Sequence, residues 1–316
     1  MNVLTSFRVK RELKERLLNH FPSVHFIYRE NMDNAKAELH DADILITYGE
    51  DLDKSLIASA KRLKWIMVLS AGMEQMPFDA IEKRGILVTN AKGIHAIPMA
   101  EYTLAMMLQV ARQTKTLIQL EQEEKWLRSV KMMELASKTV AIIGAGAIGS
   151  EIGRLAKAFR MKTIGVNTDG RAVEHIDHAY PVWQLEEAVK GVDFVVSVLP
   201  STKKTKNLFT EDCFKVMKND VVFINIGRGD VVDEQLLIRM LKEGEVRHAV
   251  LDVHVQEPLP KGHPYWEMEQ VTVTPHLSGI SDMYQPRGFE IFEHNLEVFL
   301  QGFGEYRNKV DLSKGY

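Results

Sequence analysis

The chain has 316 residues, 45% hydrophobic and 26% charged, and carries a formal net charge of −3. That length and apolar content suit about two domains with well-filled cores. The balanced charge gives no electrostatic footing for nucleic acid, and no segment offers the ~18 uncharged apolar residues of a membrane span. Cys213 is the single cysteine, which excludes an internal disulfide and a cysteine-cluster metal site. Residues Met1–Leu18 lack the apolar run of a secretory signal. A cytoplasmic protein is expected, without metal and without nucleic-acid or membrane partners.

Short apolar runs alternate with helical patterns through most of the sequence. Asp43–Thr47, Trp65–Leu69 and Ile86–Thr89 read as buried strands, with helices at Asp51–Ala60 and Phe78–Lys83 between them. Such alternation predicts α/β structure with parallel strands and helical crossovers. A long apolar helix is expected over Pro98–Thr116, since proline suits a first turn where its missing N–H is not needed. A polar stretch, Glu121–Ser129, leads into a second series. Its strands are Thr139–Ile143, Thr163–Val166, Asp193–Val198, Val221–Asn225, Ala249–Val253 and Val271–Thr274. Helices fall at Ala147–Phe159, Leu185–Lys190 and Asp233–Lys242. Six strands make one complete doubly wound sheet. A last helix, Phe289–Leu300, follows the end of that sheet and could return to the first unit.

Strand Thr139–Ile143 runs into Gly144-Ala145-Gly146-Ala147-Ile148-Gly149, which matches G-x-G-x-x-G in the strand–loop–helix context that the motif requires. Gly144 permits the tight turn, Gly146 lets a pyrophosphate approach the backbone, and Gly149 allows close helix–strand packing. The next strand ends in Asn167-Thr168-Asp169-Gly170-Arg171. An acid at this point would bind a ribose 2′-OH and select NAD. A neutral Asn167 removes repulsion toward a 2′-phosphate, Arg171 can pair with one, and Thr168 can donate to one. The balance favours NADP(H), although a register shift would set Asp169 at the ribose and favour NAD.

Three later strand ends carry polar residues: Asn225–Asp230 (NIGRGD), Asp252–Leu259 (DVHVQEPL) and Thr274–Gly279 (TPHLSG). Ligands of open α/β sheets bind beyond the carboxyl ends of strands. The Arg228 guanidinium suits a substrate carboxylate and can polarise a neighbouring carbonyl. His276 is a natural proton donor when a carbonyl becomes a hydroxyl, and Glu257 beside it would favour imidazolium and fix its orientation. Taken singly, Arg228 reads as a loop charge, Glu257 as a turn residue and His276 as a packed core residue. Together, downstream of a dinucleotide loop, they point to hydride transfer.

These segments, with Gly144–Arg154 (GAGAIGSEIGR), Val195–Thr205 (VVSVLPSTKKT), Leu69–Met76 (LSAGMEQM) and Asn90–Leu108, resemble the D-isomer-specific 2-hydroxyacid dehydrogenases, both glyoxylate/hydroxypyruvate reductase-like and phosphoglycerate dehydrogenase-like members. The resemblance covers roughly residues 40–300. It implies a Rossmann cofactor domain, residues 98–283, inserted into a flavodoxin-like substrate domain of residues 1–97 and 284–316. It implies that Arg228 binds a small 2-oxo acid, Glu257 supports His276, and His276 is the acid/base. It implies that amides near Ala71 and Gly72 hold the substrate carboxylate. Pyrophosphate contacts fall at Ala147 and Ile148, and further NAD(P) contacts near Leu199, Pro200, Thr205, Ile226, Asp252 and Gly279. A homodimer built through the cofactor domain is also implied. Three departures stand out: Asn167 replaces an acid, Arg160 replaces a helix-ending glycine, and His254 replaces an aromatic residue. A cofactor-sensing corepressor on the same fold is the alternative of a different class. A methyltransferase using the glycine loop leaves Arg228, Glu257 and His276 unexplained.

Overall fold

The computed structural model describes residues 1–70, 73 and 75–312. The chain forms two compact units, Met1–Ile94 with Ser281–Tyr316, and His95–Ile280. In the first unit the elements are β1 (Asn2–Thr5), α1 (Arg11–His20), β2 (His25–Tyr28), α2 (Met32–Leu39), β3 (Ile44–Thr47), α3 (Lys54–Ser59), β4 (Trp65–Val68), α4 (Phe78–Lys83) and β5 (Leu87–Asn90). The strands pair in parallel in the order β2-β1-β3-β4-β5, the flavodoxin-like doubly wound arrangement. β3 and β4 are buried along their whole length, as both faces of a parallel sheet must be when helices cover them. Asn31 and Asp53 cap α2 and α3 by accepting the N–H of Asn34 and Leu56.

The second unit contains α5 (Ala96–Ala111), α6 (Thr114–Gln122), β6 (Thr139–Ile143), α7 (Ala147–Ala158), β7 (Lys162–Asn167), β8 (His178–Pro181), α8 (Leu185–Val189), β9 (Phe194–Ser197), α9 (Glu211–Val216), β10 (Val222–Asn225), α10 (Glu234–Glu243), β11 (His248–Leu251) and β12 (Val271–Val273). Its seven parallel strands run β12-β11-β10-β9-β6-β7-β8. The order reverses between β6 and β9, so the switch-point crevice lies at the carboxyl ends of those two strands. Phe209, Phe214 and Phe223 meet on one face of this sheet, while Phe194, Ile142 and Ile224 pack with Leu104, Met107 and Ile152 on the other.

The last helix, α11 (Tyr284–Gln301), belongs to the first unit. Phe292 stacks on Trp65 at 5.3 Å between ring centroids, and Phe289 and Leu296 are wholly buried beside them. The Tyr284 hydroxyl donates to the Leu69 carbonyl at 2.8 Å. Gly288 lies against Leu69 so closely that an added Cβ would stand 2.9 Å from its Cγ.

Several elements differ from the sequence expectation, each for a physical reason. The second sheet has seven strands, not six. β8 is an edge strand with no buried residue, so it carries no apolar run to announce it. β2 is likewise an edge strand, and β1 offers only three consecutive apolar or buried positions. The helix expected over Pro98–Thr116 is broken by Gln113, whose left-handed φ of 56° separates α5 from α6. α11 begins five residues earlier than its apolar pattern, because the start is set by contacts with Leu69.

Candidate active site

The glycine loop sits at the switch point of the second unit. Gly144 has φ +102°, a conformation disfavoured for other residues, and its N–H donates to the Val166 carbonyl at 2.9 Å. A Cβ on Gly149 would lie 3.1 Å from the Gly144 carbonyl oxygen, which is why α7 can start so near its strand. Gly146 caps α7, and a Cβ placed there would meet nothing within 4 Å. The space beside Gly146 is therefore open, and the first N–H groups of α7, those of Ala147, Ile148 and Gly149, lack intrahelical acceptors. An open approach, free amides and the positive end of a helix dipole together fit a dinucleotide pyrophosphate.

At the end of β7, Asn167 turns its side chain onto its own loop. Its Nδ2 donates to the Arg171 carbonyl at 2.8 Å, and its Oδ1 accepts the Gly170 N–H at 2.7 Å. Arg171 pairs with Asp169 at 2.8 Å, both side chains being well exposed, and Thr168 is exposed beside them. Burial works to raise the Asp169 carboxyl, but the backbone and side-chain hydrogen bonds from Arg171 hold it below its usual range. At the end of β9, Leu199 is buried, and the Pro200 carbonyl accepts the Thr205 hydroxyl at 2.6 Å. Ile226 is buried and donates its N–H to Ser197 at 3.1 Å.

Arg228 follows β10 on a loop made possible by two glycines. A Cβ on Gly227 would come within 2.4 Å of the Leu199 carbonyl, and one on Gly229 within 2.1 Å of the His254 backbone. The loop is thus wedged between its two neighbours. The Arg228 side chain is half-buried, and Nη1 donates to the Gly227 carbonyl at 2.8 Å. It enters none of the ion pairs among the described residues, which leaves most of its donor fork available.

Glu257 and His276 come from the ends of adjacent strands, β11 and β12, and meet directly. Glu257 Oε2 lies 2.8 Å from His276 Nδ1, and Oε1 accepts the His254 N–H at 2.9 Å. Burial acts to raise the Glu257 carboxyl, but the His254 N–H and the His276 ring outweigh it and hold the group below its usual range. An ionised carboxylate only accepts, so Nδ1 carries the hydrogen of this pair. That leaves Nε2 as the ring atom free to give or take a proton. His276 itself is left-handed, with φ +53°.

Asp252 is wholly buried and ties down the segment that carries His276. It accepts the Thr274 hydroxyl at 2.5 Å and the N–H groups of Leu277 and Ser278 at 3.0 and 2.9 Å. Thr274 is also 2.7 Å from the Tyr102 hydroxyl on α5. Tyr102 carries no signal in the sequence, since a tyrosine in an apolar helix reads as packing. Gly279 lies close to His95, whose Cδ2 would be 3.0 Å from an added Cβ. His254 packs its ring near Tyr265, and burial lowers its pKa. Ala71 and Gly72 lie outside the described residues.

The profile described as "D-isomer specific 2-hydroxyacid dehydrogenase, NAD binding domain" matches residues 104–278. A glyoxylate reductase of Aeropyrum pernix is 30% identical over 275 residues, covering 84% of this chain and 82% of that one. A D-3-phosphoglycerate dehydrogenase of Methanocaldococcus jannaschii is 31% identical over 274 residues, and the chain spans about half of that longer protein, 51%. Among solved structures, a D-isomer-specific 2-hydroxyacid dehydrogenase family protein of Aeromonas salmonicida superposes with a TM-score of 0.88 at 31% identity, covering 98% of this chain and 99% of that one. An NADPH-dependent glyoxylate/hydroxypyruvate reductase of Sinorhizobium meliloti, in complex with NADP and sulfate, has a TM-score of 0.80 at 26% identity, covering 100% and 99%. The fold and site define an NAD(P)-dependent oxidoreductase acting on a CH–OH group. The chain belongs to the D-isomer-specific 2-hydroxyacid dehydrogenase family. Among the described residues, no helix is long and apolar enough to cross a membrane.

Proposed function

We propose that this enzyme reduces a small 2-oxo acid of the glyoxylate or hydroxypyruvate class to the corresponding D-2-hydroxy acid. The observation that carries the reading is the 2.8 Å contact between His276 Nδ1 and Glu257, in the same unit as the glycine loop. The nicotinamide cofactor, when bound, supplies the hydride. Arg228 then holds the substrate carboxylate with its free donors and polarises the carbonyl. Backbone amides near Ala71 and Gly72 are assigned to the substrate carboxylate as well. His276 delivers its Nε2 proton to the oxygen that becomes the hydroxyl, while Glu257 keeps the ring oriented.

Cofactor contacts are assigned to Gly144, Gly146, Ala147, Ile148 and Gly149 at the pyrophosphate, with Leu199, Pro200, Thr205, Ile226 and Gly279 along the rest of the molecule. Asp252, expected among them, is wholly buried with its carboxylate taken up by Thr274, Leu277 and Ser278, and acts on that loop instead. NADP(H) is the favoured form. Asn167 brings no negative charge to a 2′-phosphate, Thr168 is exposed to donate, and Arg171 can exchange its exposed partner Asp169 for a phosphate. Such an exposed pair is worth little, so the exchange costs little. The S. meliloti reductase, which carries NADP, supports this choice.

Residues 1–97 and 284–316 are assigned to the substrate and residues 98–283 to the cofactor, in a cytoplasmic homodimer. The apolar side chains on the second unit between residues 117 and 127 support self-association. Trp126 is 93% exposed, and Leu117, Ile118 and Leu127, which line one surface cleft with it, are exposed as well. An exposed cluster of this kind marks an interaction surface.

The test is a panel of glyoxylate, hydroxypyruvate, pyruvate and 3-phosphohydroxypyruvate, each measured with NADH and NADPH. Turnover of the first two, faster with NADPH and giving the D-isomer, is the expected result. No turnover with any member overturns the reading.

A further inference from the structure

A histidine held at φ +53° is strained relative to ordinary backbone and persists only where its surroundings over-determine it. Here the cause is visible. Pro275 has no N–H, but the next three amides all turn toward one residue. The His276 N–H donates to the Asp252 carbonyl at 2.8 Å. The Leu277 N–H donates to Oδ1 at 3.0 Å and the Ser278 N–H to Oδ2 at 2.9 Å. Successive amides converge on one acceptor when a left-handed residue reverses the peptide direction.

The two hydroxyls beyond Asp252 have a fixed direction. A carboxylate has no hydrogen to give, so Thr274 donates its single proton to Oδ1 at 2.5 Å. The Thr274 oxygen is then an acceptor, and the hydroxyl 2.7 Å away on Tyr102 must be the donor. Burial pushes the Tyr102 phenol up to about 12, so it keeps the proton this requires. The result is a one-way relay from α5 to the loop after β12, across 172 residues of sequence.

We propose that Tyr102, Thr274 and Asp252 form a positioning chain that fixes the left-handed conformation of His276 and thereby the direction of its imidazole. Glu257 sets the ring from its Nδ1 side, and the chain sets the backbone from which the ring extends. The three are positioning residues and act through His276. The inference rests on the proposed role of His276 as proton donor, and it assigns Tyr102 and Thr274 to the same site.

The test uses the full-length protein with Thr274→Val, Thr274→Ser and Tyr102→Phe. Valine keeps the shape of threonine and removes the hydroxyl; serine keeps the hydroxyl. Glyoxylate reduction is followed as separate kcat and KM values, NADPH affinity by fluorescence, and the His276 imidazole by NMR, assigned by comparison with His276→Gln. Thr274→Val is expected to lower kcat on the order of 10-fold, as sub-ångström misplacement of a reacting group does. It should leave NADPH affinity within about twofold, because ground-state binding is not what the chain controls. It should also move the His276 resonances. Thr274→Ser should restore kcat and resonances alike, with Tyr102→Phe falling between them. Unchanged kcat and unmoved resonances in Thr274→Val overturn the proposal, as does equal impairment of the Val and Ser variants. Should Thr274→Val fail to fold, Tyr102→Phe decides by the same two readouts. If the wild type turns over no 2-oxo acid, the catalytic reading fails by itself, and the His276 resonances still decide whether the chain holds the imidazole.

Discussion

A ring that must give and regain a proton at one nitrogen has to be denied the use of the other. Glu257 does this for His276, because an ionised carboxylate 2.8 Å from Nδ1 leaves only Nε2 to face a ligand. Replacing His276 by alanine should therefore lower turnover by about 10²–10⁴-fold. Cofactor binding, measured by fluorescence, should be nearly unchanged. Asp252 is the second residue with a sharp expectation. Burial acts to raise its carboxyl, but the bonds from Ser278, Thr274 and Leu277 prevail and hold it below its usual range. A depressed folded-state value means that its stabilising contribution is complete above its unfolded value, ~3.9, and is lost as pH falls through the lower folded value. Asp252→Asn should cost about 1–3 kcal/mol near neutrality, since an amide cannot accept at every position. Urea unfolding of the two proteins should converge as pH drops below 4; a constant difference across pH would contradict the ionised role. The sequence already drew attention to Arg228, Glu257 and His276, because charged and titratable residues at strand ends stand out against apolar runs. Tyr102 was invisible, because nothing local distinguishes a tyrosine that packs from one that donates to Thr274.

Elements show how termini are paid for by geometry. α7 ends where Arg160 adopts φ +60°, with its N–H on Lys157 at 2.8 Å and the Met161 N–H on Ala156 at 3.0 Å. This is a Schellman ending, normally given to glycine. Arg160→Gly should raise stability by about 1 kcal/mol by removing the left-handed penalty. Chemical denaturation measures this directly, and a destabilised variant would mean that the arginine side chain contributes more than its backbone costs. α11 illustrates the opposite case, an element held by burial. Phe292 is fully buried and stacks on Trp65, so Phe292→Ala should cost about 3–5 kcal/mol. Strands β3, β4, β6, β9 and β10 were legible as apolar runs because both their faces are covered. Edge strands β2 and β8 were not, since one side of each strand is unpaired and most of their residues stay partly exposed, which leaves no apolar run.

On the scale of the whole molecule, the chain leaves its first unit after residue 94 and re-enters it at residue 281. Only the second unit carries the glycine loop, so cofactor should stabilise that unit by mass action. At cofactor concentrations about 100 times Kd the gain is about 2.7 kcal/mol. Gly146→Val puts carbon into the open space before α7 and should abolish the gain while leaving the unliganded protein folded. Thermal unfolding with and without NADPH distinguishes the two, and a retained shift in the variant would place the pyrophosphate elsewhere. By itself the sequence determined the α/β class, the dinucleotide loop and the strand ends that bear the candidate chemistry. These are local properties, written in periodicity and in residue type beside each strand. Tertiary structure alone decided the edge strands, the early start of α11 on Leu69, the self-contained turn of Asn167 and the relay from Tyr102 to Asp252. Each depends on partners distant in the chain or on a backbone conformation, and neither leaves a mark on the order of neighbouring residues.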